Sequence, residues 1–216
     1  MKLPASDYLR SRWLETVQHI GGRPDALEFV ISDILQIYTT PWRSYHTTEH
    51  LKQSFITLDR VFKDTPDLGP IELAIWYHDY AYDPSRHDNE ERSADIAFRS
   101  LTSNQITSEE VARKVSSLIL ATKLNHIPSS HEERVMIDVD RSILGSHGVE
   151  FDKYEIAIRK EFSNMFEKDF KEKRVAFLSS LLKDGHVFLT REARIDLMEL
   201  RARYNIQRSI KKLIEV

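Results

Sequence analysis

Apolar residues recur every three or four positions along almost the whole chain, which is the spacing of one face of an α-helix. The segment from Ile71 to Tyr82 is apolar on nearly every side, so it is interpreted as a buried helix, with a buried strand as the alternative. In all, the spacing predicts helices in ten segments: Leu9–Ile20, Leu27–Tyr38, Leu51–Phe62, Ile71–Tyr82, Ala94–Leu101, Val111–Ile119, Met136–Ile143, Phe151–Phe166, Phe170–Leu182 and Ala193–Leu213.

Three of these segments are preceded by a capping-box pattern, in which Ser, Thr or Asp is followed three residues later by Glu. The pairs are Asp88 with Glu91, Thr107 with Glu110 and Ser130 with Glu133. Each pair predicts a helix start, because its side chains can accept hydrogen bonds from the first free N–H groups of a helix. Gly145 predicts the end of the third of these helices.

Turn-forming residues are scarce, with 6 glycines and 7 prolines, which disfavours a sandwich or barrel with many tight turns. A chain of 216 residues can bury a substantial core within one domain. We therefore expect an all-α fold of about eight to ten helices, forming a single domain over residues 1–216.

The composition excludes several classes of protein. Without cysteine the chain cannot form disulfides or thiolate metal sites, which suits a reducing cytoplasm. The net charge of −3, with both signs dispersed, gives no nucleic-acid footprint. No run approaches the ~20 apolar residues of a membrane span, and the polar N-terminal pattern does not predict export. We expect a cytoplasmic protein; the oligomeric state is not indicated by the sequence.

An ionisable pair, His78-Asp79, lies inside the most apolar segment of the chain. Burying a carboxylate costs several kcal/mol unless it is paired or bound to a metal. Imidazole nitrogen together with carboxylate oxygen is a donor set that borderline divalent metals accept. A simple buried hydrogen bond between the two side chains is the alternative.

Two further pairs could complete such a site. His46 and His50 are four residues apart, which on a helix places both imidazoles on one face, although surface histidines have the same spacing. In Asp138-Val139-Asp140, helical phase puts Asp140 within the apolar arc. It puts Asp138 opposite, toward solvent or behind the site. An inward Asp140 needs a partner, which a metal would provide.

Taken together, these residues resemble the HD-domain superfamily of metal-dependent phosphohydrolases, in particular an uncharacterised bacterial group of predicted HD hydrolases. The resemblance covers about residues 40–206 and includes the following blocks: Tyr45-His46-x3-His50, Trp76-Tyr77-His78-Asp79-x2-Tyr82-Asp83-Pro84, Asn89-Glu90-x2-Ser93-Ala94, Ala121-Thr122-Lys123-x2-His126, Asp138-x-Asp140-x2-Ile143-Leu144-Gly145 and Ala202-Arg203-x-Asn205. The first block also resembles the start of a cyclic-nucleotide phosphodiesterase signature, with Thr47 where that branch has asparagine.

The resemblance implies a ligand set of His50, His78, Asp79 and Asp140 around one divalent ion, which could be Mn, Mg, Fe, Co, Ni or Zn, with a second metal possible. It implies that His46 contacts phosphate and acts as a general acid. The substrate would be a small phosphoester, in particular a nucleotide, attacked by a metal-activated water.

Further candidates come from charged residues near these motifs. Asp83 could orient a water or bind a second metal, or it could simply end a helix before Pro84. Glu90 could position water, or favour the first turn of a capped helix. The candidates for binding substrate are Arg43, Lys123 and His126, although the last two could instead interact with a helix dipole.

Two other functions remain open at this stage. A nucleotide-sensing module could use the same site to bind a ligand with little turnover. A dinuclear-iron HD oxygenase would need His126 or other residues as additional ligands.

Overall fold

The computed structural model describes residues 4–21, 27–183 and 185–215, and within these ranges the chain is helical, without β-strands. The predicted all-α fold is confirmed. The elements are α1 (Ala5–His19), α2 (Leu27–Tyr38), α3 (Thr48–Val61), α4 (Leu68–Tyr77), α5 (Asn89–Ser103), α6 (Glu109–Ala121), α7 (His131–Asp140), a 3₁₀ helix (Arg141–Gly145), α8 (Gly148–Glu161), α9 (Glu167–Ser180), α10 (Arg191–Ile195) and α11 (Met198–Ile214).

The last predicted segment divides into two helices, which gives eleven α-helices among the described residues. The break lies at Asp196 and Leu197. Leu197 has a φ of 62°, in the left-handed region that interrupts a right-handed helix. α11 then turns back to pack on the 3₁₀ helix, α9 and α10.

Helix α4 is the centre of the domain. Every residue from Gly69 to Tyr77 is buried, and α4 packs against α1, α3, α5, α6 and α7. The interpretation of this segment as a buried helix is confirmed, and the strand alternative is wrong. The helix ends at Tyr77, earlier than the apolar pattern predicts, so His78 and Asp79 directly follow its last turn.

Polar contacts tie α4 to α1 inside this apolar packing. Glu72 on α4 is fully buried and accepts a hydrogen bond of 2.6 Å from the Arg12 guanidinium. His19 Nδ1 lies 3.1 Å from the same carboxylate. The Trp76 indole donates to Thr16 Oγ1 at 3.2 Å. Glu72 therefore depends on α1 for its counter-charge.

The three capping-box predictions have different outcomes. Ser130 caps α7 by accepting from the Glu133 N–H at 3.1 Å, as predicted. α6 is capped by Ser108, one residue after the predicted Thr107. Asp88 occupies the N-cap of α5 but makes no capping hydrogen bond, because its carboxylate accepts from Arg86 instead.

Gly145 ends the 3₁₀ helix that extends α7, as its position predicts. A Cβ there would lie 2.8 Å from the Met198 Cβ at the start of α11, so only glycine fits this close approach. The Asn205 amide on α11 donates to the Leu144 and Ser146 carbonyls, both at 3.0 Å. Within the described residues, no helix is both long and apolar enough to cross a membrane.

Candidate metal centre

Three helices bring four potential metal ligands together. His50 is in the first turn of α3, His78 and Asp79 directly follow α4, and Asp140 is the last residue of α7. α3, α4 and α7 all pack against one another. The convergence follows from this packing, because the first turn of α3 meets the ends of α4 and α7.

One ligand atom from each of the four residues lies within 4.8 Å of the others. His50 Nε2 is 3.0 Å from His78 Nε2, 3.4 Å from Asp79 Oδ2 and 3.7 Å from Asp140 Oδ1. His78 Nε2 is 3.0 Å from Asp79 Oδ2 and 3.4 Å from Asp140 Oδ1. Nitrogen and oxygen ligands bonded at about 2.1 Å to one ion are separated by roughly 3.0–3.4 Å. Four of the five distances lie in this range, and only His50 Nε2 to Asp140 Oδ1, at 3.7 Å, exceeds it, so the group could hold a shared divalent ion.

Two observations are consistent with a cation bound among these side chains. His78 Nδ1 donates to the Ile75 carbonyl at 2.9 Å, which fixes the ring with Nε2 toward the cluster. Asp79 Oδ2 is buried and makes no well-directed hydrogen bond in the described chain, although His78 Nε2 lies 3.0 Å away. A buried carboxylate oxygen needs a well-placed donor or a cation, and a bound ion would satisfy it.

The charges within the cluster strongly perturb its members. Burial lowers the pKa of His50. Burial also disfavours the charged form of His78, but the carboxylates of Asp79 and Asp140 outweigh it and raise the His78 pKa well above its usual value. The pKa of Asp79 is held well below its usual value, since the nearby histidines outweigh burial. The two carboxylates therefore need positive charge between them, supplied by protonated imidazole or by a metal.

The cluster opens on its carboxylate side. The side chains of His50 and His78 are 3% and 2% exposed, whereas those of Asp79 and Asp140 are 18% and 29% exposed. A small molecule would therefore reach the site from the side of Asp140.

His46 lies beside the cluster in the loop before α3. Its Nδ1 donates to Glu161 Oε2 at 2.7 Å, and its ring centroid is 5.9 Å from that of His50. The charge of His46 also acts on Asp79. With Nδ1 bound to Glu161, the other ring nitrogen, Nε2, is the one that can exchange a proton with a ligand.

Glu161, the last residue of α8, holds the loop that carries His46. Its side chain is fully buried, and Oε1 accepts from the backbone N–H groups of Ser44, Tyr45 and His46 at 2.7, 2.8 and 3.1 Å. Tyr82 donates its hydroxyl to Oε2 at 3.1 Å. Although burial opposes ionisation, the hydrogen bonds from His46 and the loop lower the pKa of Glu161 to about 2.

Aromatic rings form the walls around both histidines. The Tyr82 ring is 4.0 Å from that of His46, and the Tyr45 ring is 4.8 Å from that of His50. Trp42 stacks on Tyr82 at 5.9 Å. These rings limit the motion of the imidazoles and exclude water from one side of the site.

Arg43, predicted to bind substrate, is held within the protein. Its guanidinium donates to the carbonyls of His46, Asp79 and Tyr80 at 3.1, 2.8 and 2.9 Å. It also lies 4.8 Å from the centre of the Tyr38 ring. These contacts favour a structural role, in which Arg43 binds carbonyls that the end of α4 leaves free and so fixes the turn containing Asp79.

The two acids predicted as catalytic lie in different surroundings. Asp83 accepts from the Ser85 N–H and hydroxyl at 2.9 and 2.7 Å, which lowers its pKa, and with Glu161 it lines a cleft of about 480 Å³. Burial raises the pKa of Glu90, and the charge of Asp79 acts on it. Neither is among the four clustered ligands. Their catalytic roles stay predictions, and Glu90 has the better support.

The other two predicted substrate-binding residues have partners on the surface. Lys123 forms an ion pair with Glu91. His126 Nε2 lies 3.1 Å from Glu133 Oε2. His126 is thus bound to the first turn of α7 and does not join the four-ligand group.

The position of Asp138 differs in part from the prediction made from helical phase. Its carboxylate is fully buried and accepts from the N–H groups of Leu189 and Thr190, both at 2.8 Å, and from the Thr190 hydroxyl at 2.6 Å. Burial outweighs these bonds and raises the pKa of Asp138 to about 6. Of the two directions predicted for Asp138, the one toward solvent is wrong, because the segment before α10 covers this side of α7. A place behind the site stays a prediction. Asp140 joins the cluster, as predicted, while remaining partly exposed.

Sequence reasoning missed Glu161 and Arg141. Nothing near Glu161 marks it, since its partners are 115 to 117 residues away in the chain. Arg141 directly follows Asp140 and is partly buried; burial lowers its pKa, against the charges of Asp140 and Asp138, which raise it. Its place next to a predicted ligand was the one available signal.

No family model, curated protein or solved structure matches this chain. The site is therefore interpreted from its own geometry.

Proposed function

We propose that this protein is a metal-dependent phosphohydrolase of the HD type, acting on a nucleotide or a related small phosphoester. The observation that carries the proposal is the convergence of four ligand atoms within 4.8 Å of one another, with the imidazole of His46 alongside. The buried Asp79 Oδ2, which makes no well-directed hydrogen bond, supports a bound ion, and the sequence resemblance supports the choice of a phosphoester.

His50, His78, Asp79 and Asp140 would hold the ion through Nε2 and carboxylate oxygens. A divalent metal supplies a water of lowered pKa and neutralises charge that develops on phosphoryl oxygens. The protein contributes a fixed set of donors: the Ile75 carbonyl orients His78, and Arg43 holds the turn of Asp79.

His46 is the proton donor to the leaving oxygen in this proposal. Glu161 stays ionised near neutral pH, accepts from Nδ1 and keeps the ring oriented. The proton that His46 gives up is therefore the one on Nε2, the ring nitrogen that Glu161 does not bind. Glu161 acts as a positioning residue, since it contacts His46 and not the cluster ligands.

The first experiment combines metal analysis of the purified protein with phosphate release from a panel of nucleotides in the presence of manganese, magnesium or cobalt. Hydrolysis by the wild type and its loss in Asp140→Asn would support the proposal. Nucleotide binding without phosphate release would favour the sensing module instead. Bound iron with oxygen consumption would favour the oxygenase, for which His126 offers no support because it is bound to Glu133.

The second experiment separates proton donation from metal binding. His46→Ala should retain metal and lose about 10²–10⁴-fold in turnover, the usual scale of general acid catalysis. The loss should be much smaller for a nitrophenyl ester, whose leaving oxygen departs without a proton. His50→Ala is the matched control and should lose metal and both activities. Equal losses for both leaving groups in His46→Ala would contradict the role of His46 as an acid.

A further inference from the structure

A phosphoester brings negative charge to a site that already contains two carboxylates, so cationic groups are needed to hold it. The three residues predicted for this purpose are occupied by other contacts. Arg43 binds three carbonyls, Lys123 pairs with Glu91 and His126 contacts Glu133. A cationic side chain other than these three is therefore the better candidate for binding the phosphate.

Arg141 differs from the buried arginines of the described chain. Arg12 is held by Glu72, Arg43 by carbonyls and Arg174 by Glu155. Arg141 is partly buried, yet within the described residues its guanidinium has neither a hydrogen bond nor an ion pair. Arg134 shares these two properties, so what distinguishes Arg141 is its place directly after Asp140, where the charges of Asp140 and Asp138 act on it and its N–H donors are available to a ligand.

The position of Arg141 also suits a ligand of the metal centre. It follows Asp140 at the end of α7, so its side chain leaves the helix about 100° from that of Asp140. Asp140 is the most exposed member of the cluster and marks the side from which a substrate approaches. The charges of Asp140 and Asp138 act on Arg141 without binding it directly.

We infer that Arg141 is a specificity-determining residue whose guanidinium binds two anionic oxygens of the substrate phosphate at the open side of the cluster. This inference rests on the proposed function. The planar fork of arginine matches two phosphate oxygens, and it has five N–H donors to offer. The contact would select phosphorylated ligands over neutral ones.

The test measures binding of inorganic phosphate to the manganese-loaded protein by titration calorimetry. Arg141→Gln should weaken phosphate binding at least about tenfold, the scale of a charge-assisted hydrogen bond, with unchanged manganese content and melting temperature. Arg141→Lys, which keeps the charge but lacks the fork, should weaken it less and remains measurable if the glutamine variant does not fold.

Arg134→Gln is the matched control. Arg134 is also partly buried and has no side-chain hydrogen bond or ion pair in the described part of the chain. It lies in the first half of α7, seven residues before Arg141, which at 1.5 Å per residue is about 10 Å along the helix axis. Its phosphate affinity should stay within twofold of the wild type.

Three outcomes would overturn the inference: wild-type phosphate affinity in either Arg141 variant, an equal loss in Arg134→Gln, or no phosphate binding by the loaded wild type. The proposed function is decided separately, by turnover of the wild type in the nucleotide panel. A wild type that hydrolyses nucleotides while Arg141→Gln keeps its phosphate affinity and KM would contradict only the role of Arg141.

Discussion

Asp138 and Asp140 lie two residues apart on α7 and carry the same carboxylate, but their surroundings give them different roles. Asp138 is fully buried and accepts three hydrogen bonds from Leu189 and Thr190. Asp140 is partly exposed and accepts none of these, but lies within reach of His50 and His78. The first joins distant parts of the chain, and the second faces the metal centre.

Asparagine at each position should separate these roles. Asp138→Asn places an NH₂ group against backbone donors, so it should lower the free energy of unfolding by about 2–4 kcal/mol while manganese still binds. Asp140→Asn should lose manganese at little cost in stability. Urea denaturation and metal analysis of both variants check this, and loss of metal in Asp138→Asn with retention in Asp140→Asn would reverse the assignment.

The buried Glu161 predicts a particular pH dependence. Its pKa is about 2 in the folded protein, below its ordinary value of 4.5, so its contribution to stability is complete above pH 4.5 and is lost as the pH falls toward 2. The stability advantage of the wild type over Glu161→Gln should therefore shrink below pH 4.5, by about 2 kcal/mol at pH 3. Urea denaturation of both proteins from pH 7 to 3 measures this loss. A difference in stability that stays constant over this range would show that these contacts do not lower the pKa of Glu161.

At the scale of elements, the junctions between helices matter more than their lengths. α4 ends at Tyr77, and the Arg43 guanidinium donates hydrogen bonds to the carbonyls of Asp79 and Tyr80 just beyond it. Because the helix ends here, His78 and Asp79 lie outside it. The starts of α3, α6, α7 and α10 are also determined locally, each by a single hydroxyl group that accepts from a backbone N–H.

The start of α6 provides a direct test. Ser108 Oγ accepts from the Val111 N–H at 3.3 Å, whereas the sequence pattern points to Thr107. Ser108→Ala should lower the free energy of unfolding by about 1 kcal/mol, the usual cost of losing an N-cap. Thr107→Ala, one residue away, should change it by less than half as much. Thermal unfolding of both variants decides which residue caps the helix.

These elements also show what the sequence can and cannot predict. The helices and the cluster of His50, His78, Asp79 and Asp140 could be anticipated, because an apolar segment makes its ionisable residues conspicuous. The partners of Glu161 and Asp138 could not, since they lie more than 50 residues away in the chain and depend on how α8 and the segment before α10 pack. Helical phase gives a direction for a side chain but does not reveal what covers it.

At the scale of the whole molecule, the candidate metal centre joins residues from position 50 to position 140 and so links three helices of the core. An ion that binds the folded chain and not the unfolded one stabilises the fold as its concentration rises.

Manganese at one hundred times its Kd should therefore increase the free energy of unfolding of the wild type by about 2.7 kcal/mol and so raise its melting temperature. A chelator should reverse the change. Asp140→Asn should show no such rise. Scanning calorimetry over a range of manganese concentrations measures it. An equal rise in Asp140→Asn would indicate that the ion binds elsewhere.

The ion pair between Glu72 and Arg12 has a consequence for where the domain can be cut. The recognisable motifs begin near residue 40, but Glu72 is fully buried on α4 and takes its counter-charge from α1. A fragment starting at residue 40 would keep all four candidate metal ligands. It would lack Arg12, however, and would leave the Glu72 carboxylate without a counter-charge in the middle of the core. The smallest autonomous folding unit therefore extends beyond the part of the chain that carries the chemistry, and includes α1.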